Sequence, residues 1–305
     1  MKGSTTWYAV IFSENMEQSK EEGMIRSVFK KDISSIKRID SLTSSLFAVV
    51  LEDKKQYIIK FYKGEEAYLN ETTAYDILHK SNKAKDIPLL PLLCSGNHAE
   101  QNISYAVFPK TTPISLFDIL KDNSNLYLAQ EAGKILSQLH SIELSQEEKK
   151  NIKSFGPEEK AVREFSLTAD ILEKKGIIKK ENKEELLLLF KNVVRQNTSS
   201  SLVHGNLHQW QFLCDNNQIR ALMDFEACLI GMPEIDIIKA ELFLRIFSPG
   251  AVNHFLKGYG SLPYSYYNTR IPLVAYWLAM STMEHIKTGK DEFSIFPRLL
   301  ENFFK

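Results

Sequence analysis

The segment from residue 202 to residue 226, LVHGNLHQWQFLCDNNQIRALMDFE, constrains the fold more than any other part of the chain. It begins as a short apolar strand, bends at a His-Gly pair and continues through a polar loop. A hairpin with the turn CDNNQ follows and ends in the apolar strand ALMDF. Asp224 stands at the end of that strand, and Gln211 lies on the other arm of the hairpin. This arrangement predicts a carboxylate and an amide oxygen at one end of the hairpin, where they suit a hard cation such as Mg²⁺.

The order of the predicted elements indicates an α+β fold. Short runs rich in β-branched and aromatic residues dominate the first third of the chain, and amphipathic helical patterns dominate the rest. We therefore expect a bilobal molecule, with a small β-rich lobe over residues 1–110 and a larger, mainly helical lobe over residues 111–305. A ligand is expected in the cleft between the lobes. The predicted strands are 7–12, 45–53, 55–63, 88–96 and 102–110, and the first predicted helices are 65–83, 111–121 and 126–144.

The charge balance excludes some classes of partner. Lys plus Arg and Asp plus Glu number 38 each, so the formal net charge is zero. A chain-wide attraction to nucleic acid or to an anionic membrane is therefore not expected. Widely spaced cysteines without a CxxC pair, and an N-terminal segment without the long apolar core of a signal peptide, favour the cytoplasm. The apolar run IPLVAYWLAMSTM (271–283) is too short to cross a bilayer and is predicted as a core helix.

Lys60 is a candidate phosphate-binding residue. It lies in the middle of the strand YIIKFYK, with Ile59 and Phe61 on the opposite face. An inward-facing ammonium needs a partner or a ligand, because an unpaired buried charge is costly. Glu71 on the following helix offers that partner and would hold the lysine toward a phosphate. The alternative is an exposed lysine at a sheet edge.

The turn before the strand at 45–53 is a second candidate for phosphate binding. Its residues, Asp40 to Ser45, include several small hydroxyl side chains and no glycine. Ser44 and Ser45 can donate hydroxyl and backbone hydrogen bonds to phosphate oxygens, although close backbone approach is easiest at glycine. The alternative is an ordinary turn without a ligand.

Three stretches together resemble the aminoglycoside phosphotransferase/choline kinase family, which has the protein-kinase-like fold. They are HGNLHQWQF (204–212), LMDFE (222–226) and GMPEID (231–236). The family pattern is His-Gly-Asp-Leu-His, a metal-binding Asn or its substitute, Ile/Met-Asp-Phe/Trp-Glu, and Gly-x-Pro-x-x-Asp. The resemblance extends over residues 40–290. The family's ATP-lysine strand is similar to YIIKFY, and its paired-Glu helix is similar to LNETTAYDIL. The helix before its catalytic loop is similar to LSQLHSI. Its interlobe hinge is similar to YAVFPK, which contains Phe108.

The resemblance implies ATP and Mg²⁺ as cofactors, with GTP as an alternative nucleotide. The hinge backbone near Phe108 would bind the nucleobase. By position in the family pattern, Lys60 would bind the nucleotide phosphates and Glu71 would orient Lys60. Asp224 and Gln211 would bind the metal ion. His204 would shape the catalytic loop, and Asp236 would brace it.

Asn206 departs from this pattern, because the family has a catalytic Asp at that position. An amide cannot accept the proton of an attacking hydroxyl at neutral pH, although it can orient the hydroxyl. Phosphoryl transfer depends mainly on positioning and charge neutralisation, so loss of the base is expected to cost roughly 10²–10⁴ in rate rather than all activity. Three interpretations stay open. The chain is an inactivated Asp→Asn variant of a kinase, a slow kinase in which His208 or a substrate phosphate takes the proton, or a pseudokinase that binds a nucleotide or metabolite without transfer.

The predicted function is ATP-dependent phosphorylation of a hydroxyl on an antibiotic, sugar, nucleoside or amino alcohol, by a monomer or homodimer. A protein kinase is the least favoured alternative, because the interval between Asp224 and Gly231 is too short for a substrate-docking segment. The acceptor pocket is expected among acidic and aromatic residues of the C-terminal helices, with solvated helix faces as the alternative. These residues are Glu234, Asp236, Glu241, Tyr264, Tyr266, Tyr267, Tyr276, Trp277 and Glu284.

Overall fold

An antiparallel sheet of five strands forms the N-terminal part of the molecule. The computed structural model of the chain describes residues 20–39, 44–98, 103–111, 113–122, 125–154, 158–196, 201–215 and 217–305. The strand predicted at 7–12 therefore lies outside the described residues. In spatial order the strands are β1 (Ile33–Ile39), β2 (Ser44–Leu51), β3 (Gln56–Tyr62), β5 (Ile103–Pro109) and β4 (Cys94–His98).

The two faces of this sheet have different roles. Phe47, Ile59 and Phe61 pack together with Ile25 of helix α1 (Lys20–Phe29) in one apolar cluster. Lys60 lies between two of these residues in sequence, so the period-2 alternation of a strand directs its side chain to the other face. That face carries helix α2 (Glu65–Lys80). The sheet thus buries a core on one side and presents a lysine on the other.

Helices dominate the remainder of the chain, as expected. They enclose a large apolar core that also contacts the inner face of the five-stranded sheet. The apolar run at 271–283 belongs to a helix in which Leu273, Ala275 and Leu278 are buried. The helices are α3 (Leu116–Leu120), α4 (Tyr127–His140), α5 (Gln146–Asn151), α6 (Glu158–Lys174), α7 (Lys180–Gln196), α8 (Glu234–Phe247), α9 (Val252–Tyr259), α10 (Tyr266–Thr288) and α11 (Phe296–Phe303).

Short strands interrupt these helices in and around the segment 202–226. A three-stranded sheet has the order β6 (Ile114–Ser115), β8 (Phe212–Asp215), β9 (Gln218–Leu222), and β7 (Ser201–Val203) pairs with β10 (Leu229–Gly231). The N–H of Leu222 donates to the carbonyl of Pro88 at 2.7 Å. The hairpin β8–β9 is therefore tied to the segment that precedes β4.

Two predicted elements differ from the structure. The strand predicted at 88–96 begins only at Cys94, because Pro88 and Pro91 have no N–H to donate to a ladder. The region predicted as helix from residue 111 contains β6 and the short α3 instead. Ser115 caps α3, and its Oγ accepts a hydrogen bond from the N–H of Asp118 at 3.2 Å.

Glycines allow α4 and α9 to approach closely. A Cβ added at Gly133 would lie 2.1 Å from the carbonyl oxygen of Phe255, and one added at Gly258 would lie 1.9 Å from that of Gln130. Such distances are not compatible with any side chain, so the contact requires glycine on both helices. This packing also positions His140 at the end of α4, beside the loop described below.

The structure confirms the predicted α+β class, with a β-rich N-terminal part and a helical C-terminal part. The division between residues 110 and 111 stays a prediction. Among the described residues, no helix combines the length and the apolar character that crossing a membrane requires.

Candidate active site

Lys60 lies at the centre of a buried network of acidic side chains. Its Nζ donates to Oε2 of Glu71 on α2 at 2.7 Å. Lys60 is 7% exposed and Glu71 is 1% exposed, so each charge depends on the other rather than on water. The hydroxyl of Tyr62 also donates to Oε2 of Glu71, at 2.7 Å, and holds the carboxylate toward the lysine. The alternative of an exposed edge lysine is therefore wrong.

The same ammonium contacts two carboxylates from the distant Met-Asp-Phe-Glu segment. Nζ of Lys60 lies 2.7 Å from Oδ1 of Asp224 and 3.1 Å from Oε2 of Glu226. The backbone N–H of Phe225 donates to Oε1 of Glu71 at 3.2 Å. The turn after β9 is thereby fixed to both β3 and α2, and the two parts of the molecule meet at Lys60.

Burial and charge oppose each other in this network. Burial would lower the pKa of Lys60, but the carboxylates of Asp224, Glu71 and Glu226 outweigh it and raise that pKa well above its ordinary value. Burial would raise the pKa of Asp224, but Lys60 outweighs it and lowers that pKa. Burial raises the pKa of Glu71 despite the attraction of Lys60. Lys60 is therefore a cation and Asp224 an anion at neutral pH.

The backbone of Asp224 is held in an uncommon conformation. Its φ of 70° and ψ of 59° lie in the left-handed region, which is seldom occupied by residues other than glycine. The N–H of the preceding Met223 donates to the carbonyl of Gln211 at 3.1 Å, which restrains the chain at this point. A conformation that costs on the order of 1–3 kcal/mol persists only where its surroundings impose it, and such sites are often functional.

Asp236 braces the loop that follows β7. Its Oδ2 accepts from the N–H of His204 at 2.7 Å, and its Oδ1 accepts from the N–H of Gly205 at 2.9 Å. His140 lies 3.1 Å from Oδ2 through its Nε2. Gly205 has a φ of +78°, and a Cβ there would lie 2.0 Å from the carbonyl oxygen of Ala227. The loop therefore needs glycine at the bend and a carboxylate beneath it.

His204 is a structural part of this loop. It is fully buried, and its Nε2 lies 2.9 Å from the carbonyl oxygen of Met223. Burial lowers its pKa below the ordinary value, so the imidazole is neutral at pH 7. These contacts match the loop-shaping role expected of His204, which stays a prediction.

Asn206 is half-buried and faces the cleft. Its Oδ1 accepts a hydrogen bond from Nζ of Lys239 on α8. Lys239 is 4% exposed, and its Nζ lies 4.1 Å from the centre of the Trp277 ring. The position at which the resemblance predicts a catalytic Asp thus carries an amide in contact with a buried ammonium.

His208 and Gln211 line the same cavity as Asn206. His208 stacks on Phe243 with 5.2 Å between ring centres, and its Nδ1 has no hydrogen-bond partner within the described part of the chain. Burial, together with nearby Lys239, lowers the pKa of His208 well below its ordinary value. Nε2 of Gln211 donates to Oδ2 of Asp224 at 3.2 Å, which joins the two predicted metal ligands directly.

Of the predicted phosphate-binding turn at 40–45, Ser44 and Ser45 lie among the described residues, and their phosphate-binding role stays a prediction. Residues 40–43 lie outside the described residues, whereas Ser44 and Ser45 are the first residues of β2 and pair with Tyr62 and Phe61 of β3. Ser44 is 3% exposed, and its Oγ donates to Oε2 of Glu226 at 2.9 Å. The ladder with β3 extends to these serines, so they belong to a strand rather than to a loop.

A cavity of about 220 Å³ is lined by several of the predicted site residues. Phe108 of β5, Lys60 and Asp224 all line it, together with apolar and polar side chains from both parts of the molecule. Its apolar lining includes Ile39, Leu46, Ile58, Leu90, Phe108, Ile114, Leu213 and Met223, and its polar lining includes Lys60, Glu71, Asp118, Asn206, His208, Gln211, Asp224, Glu284 and Lys290.

Most of the residues expected in an acidic acceptor pocket have other roles. Glu284 does line the cavity. Glu241 is 1% exposed and accepts from Nη2 of Arg270 at 2.9 Å, while Glu234 is equally buried and accepts from Ser265. Tyr264 and Tyr267 are 97% and 75% exposed. The buried charged residues of α8 pair mainly with neighbouring elements, and Glu284 is the one of the nine expected residues that lines this cavity, so the expectation of a broad acidic lining is wrong.

Glu226 and Lys239 were not predicted as site residues. Glu226 belongs to the Met-Asp-Phe-Glu segment, in which the family pattern implied a role for Asp224 alone. Lys239 has a weaker signal, since it is a lysine within the largely apolar stretch DIIKAELF of a helix that is buried along most of its length. Its partner, Asn206, lies on a separate loop and cannot be identified from helical spacing.

Comparison with known proteins adds independent evidence on the family. The sequence profile of the phosphotransferase enzyme family matches residues 35–270. No curated protein matches the chain with significant sequence similarity.

Several solved structures share the fold. The GDP complex of aminoglycoside 2'-phosphotransferase-IIIa has a TM-score of 0.67 at 14% identity, covering 94% of this chain and 98% of that one. Spectinomycin phosphotransferase APH(9)-Ia, in complex with ADP and spectinomycin, has a TM-score of 0.60 at 15% identity, with 95% and 94% covered. Amicoumacin kinase hAmiN, in complex with AMP-PNP, Ca²⁺ and Ami, has a TM-score of 0.62 at 14% identity, with 93% and 94% covered. The predicted kinase-like fold is confirmed.

Proposed function

The chain belongs to the phosphotransferase enzyme family, and we propose that it transfers the γ-phosphoryl group of ATP to a hydroxyl group of a small molecule. The observation that carries this proposal is the convergence of Lys60 and Asp224. They come from different parts of the molecule, lie 2.7 Å apart and line the same cavity. A lysine and a carboxylate at this distance can bind the phosphates of a nucleoside triphosphate and its metal ion, respectively.

The nucleotide would occupy the end of the cavity that is lined by the five-stranded sheet. Ile58 and Leu46 offer apolar surface to a planar base, and the backbone near Phe108 offers hydrogen bonds to its edge. Lys60 would then reach the phosphates. In this proposal residues 1–110 form the nucleotide-binding lobe, and residues 111–305 carry the catalytic loop, metal site and acceptor pocket. Three similar structures contain GDP, ADP or AMP-PNP, which supports a nucleotide and leaves ATP and GTP as alternatives.

The residues present fit a Mg²⁺ ion that is held mainly by phosphates and water. Lys60 pairs with the carboxylates of Glu71, Asp224 and Glu226, and these four groups together have a formal charge of −2. Asp224 and the amide oxygen of Gln211 would hold the ion, since one or two protein oxygens suffice for Mg²⁺ on a nucleotide. Within the described residues, no group of three or more His, Cys, Asp or Glu side chains forms a metal cage. When bound, the ion would neutralise charge on the phosphates.

The chain's own residues would act mainly by positioning. The loop braced by Asp236 directs Asn206 into the cavity that Asp224 also lines. Asn206 would hydrogen-bond the acceptor hydroxyl and align it with the γ-phosphorus. Because the transition state of phosphoryl transfer is loose, alignment and charge neutralisation supply most of the rate enhancement.

The acceptor is proposed to be a small molecule, such as an antibiotic, sugar, nucleoside or amino alcohol. Three similar structures are named as kinases or phosphotransferases of aminoglycosides, spectinomycin or amicoumacin. The cavity that Asn206 lines is also lined by Glu284 and Lys290, so the described lining is of mixed charge. A strongly cationic acceptor therefore has less support than the sequence alone suggested.

A second candidate function is nucleotide or metabolite binding without transfer. Asn206 is the observation that favours it, since an amide does not take up a proton at neutral pH.

An acceptor panel with Mg-ATP separates the two functions. The chain, an Asn206→Asp variant and an Asn253→Asp control at an exposed position of α9 are compared by release of ADP and by mass of the product. We expect transfer by the chain itself and a gain of roughly 10²–10⁴ in Asn206→Asp. If neither protein phosphorylates any acceptor, and Asp224→Ala leaves nucleotide affinity unchanged, the enzyme proposal is overturned. A nucleotide-induced rise in melting temperature without transfer in Asn206→Asp supports the binding protein.

A further inference from the structure

Lys239 is a buried cation with a defined hydrogen-bond acceptor. It lies in the first half of α8, is 4% exposed, and packs between aromatic rings, with Nζ 4.1 Å from the centre of Trp277 and 5.6 Å from that of Phe243. Its Nζ donates to Oδ1 of Asn206. Among the described residues that line the cavity, Asn206 is present and Lys239 is not. The ammonium therefore supports Asn206 from behind.

The chemistry of the two groups selects one orientation of the amide. An ammonium has three donors and no acceptor, whereas a primary amide has an acceptor oxygen on one side and two donors on the other. A charged Lys239 can hydrogen-bond only the oxygen of Asn206. With Oδ1 directed to Lys239, Nδ2 is directed away from it. Hydrogen bonds to a charged group are roughly twice as strong as neutral ones, so this preference is substantial.

We propose that Lys239 is a positioning residue, which holds the carbonyl of Asn206 toward Nζ and thereby presents the NH₂ group of Asn206 to the acceptor. This inference rests on the proposed phosphotransferase function. Position 206 would then donate a hydrogen bond to the acceptor hydroxyl oxygen rather than take its proton.

The proton needs another destination in this arrangement. The hydroxyl oxygen forms a bond to the γ-phosphorus while the bond from that phosphorus to the bridging oxygen of ADP breaks. The hydroxyl proton passes to a non-bridging oxygen of the transferred phosphoryl group. The products are ADP and a protonated phosphate monoester, so atoms and charge balance without a base from the protein.

The protonation state of Lys239 offers a way to observe this contact. Burial lowers the pKa of Lys239 to about 8, against the opposing influence of Glu284, Asp236 and Asp224. Loss of its proton near that pH should alter the field and the hydrogen bond at Asn206. His204 and His208 also face this region, but burial lowers their pKa values, so they are neutral above pH 7.

The first test uses nuclear magnetic resonance and needs no acceptor. The chain is labelled with ¹⁵N-asparagine, and the side-chain NH₂ pair of Asn206 is assigned as the pair that disappears in Asn206→Asp. We expect this pair to shift with a midpoint near pH 8, and the shift to be absent in Lys239→Met. Lys257→Met removes an exposed lysine of α9 and should retain the shift. A pair that does not move near pH 8, or that moves equally in Lys239→Met, overturns the proposal.

The second test uses the transfer reaction. Lys239→Met is expected to lower kcat by about 10- to 100-fold, while the KM for ATP is unchanged, because the contact acts on the acceptor side. Lys239→Arg keeps a donor and should recover part of kcat. Equal activity of Lys239→Met and the unaltered chain overturns the proposal. If no protein transfers phosphate, the proposed function fails, and the resonance titration still decides whether Lys239 orients Asn206.

Discussion

Replacing Lys239 by methionine is expected to stabilise the protein at neutral pH. The folded chain holds this lysine with a pKa of about 8, against an ordinary value of 10.5. Each unit of difference corresponds to 1.36 kcal/mol, so holding the ammonium in the folded state costs about 3 kcal/mol at pH 7. Methionine has a similar length, carries no charge and packs well against the rings of Trp277 and Phe243. The free energy of unfolding of the variant should therefore exceed that of the unaltered chain by about 3 kcal/mol.

The dependence on pH identifies the cause of this difference. Below pH 8 both the folded and the unfolded chain carry the proton on Lys239, so the full cost is present. Between about pH 8 and pH 10.5, Lys239 has released its proton in the folded chain but not in the unfolded chain. Lys239 therefore makes the free energy of unfolding of the unaltered protein increase with pH over this range. The advantage of Lys239→Met should shrink to about 1 kcal/mol near pH 9.5.

Denaturant unfolding followed by tryptophan fluorescence measures both effects. The free energy of unfolding is determined for the unaltered chain, for Lys239→Met and for the exposed control Lys257→Met, at pH 7 and at pH 9.5. At pH 7 the melting temperature of Lys239→Met should also rise, by about 6 °C for about 3 kcal/mol in a chain of this size. A variant that is less stable than the unaltered chain at pH 7, or a stability difference that does not change with pH, would refute the reasoning.

Three other predictions concern the acidic network and the helix contact. Lys60→Met should lower the free energy of unfolding by about 3–5 kcal/mol, as measured in denaturant, because it leaves Glu71 and Asp224 buried without their cation. In titration calorimetry, Asp224→Asn should weaken the binding of Mg-nucleotide by tenfold or more, on the order of 1.4 kcal/mol, and should weaken the binding of metal-free nucleotide less. Equal losses of affinity with and without Mg²⁺ would contradict a metal-binding role for Asp224. Gly133→Ala should lower the melting temperature, because its Cβ would lie 2.1 Å from a backbone oxygen, whereas Gly23→Ala, with no atom within 4 Å, should not.

The Lys60 network gives the buried acidic residues a partner that does not depend on the amide at position 206. The ammonium is already satisfied by Glu71, Asp224 and Glu226 in the structure described here. Binding of a Mg-nucleotide would give Asp224 a new cation and Lys60 a new anion, so the network would exchange partners rather than lose them. This supports nucleotide binding whether or not transfer follows.

Several features were accessible from the sequence because they depend on neighbours along the chain. Strand periodicity predicted that Lys60 and Ile59 face opposite sides of the sheet. Local pattern also predicted the helix that carries Glu71 and the hairpin before Asp224, although the second strand ends at Leu222 rather than at Asp224. Family resemblance linked these segments to one site. The strand predicted at 88–96 began too early, because Pro88 and Pro91 have no N–H to donate to a ladder.

Other features were decided only by the tertiary structure. Nothing in the spacing of Glu241 or Ser44 distinguishes a residue that lines a pocket from one that pairs with another buried group. The contact between Lys239 and Asn206 joins a helix to a loop that is 33 residues away in sequence. Periodicity determines which face of an element a side chain occupies, whereas its partner depends on which element packs against that face. Burial then sets the pKa of Lys239, and that quantity exists only once the chain has folded around it.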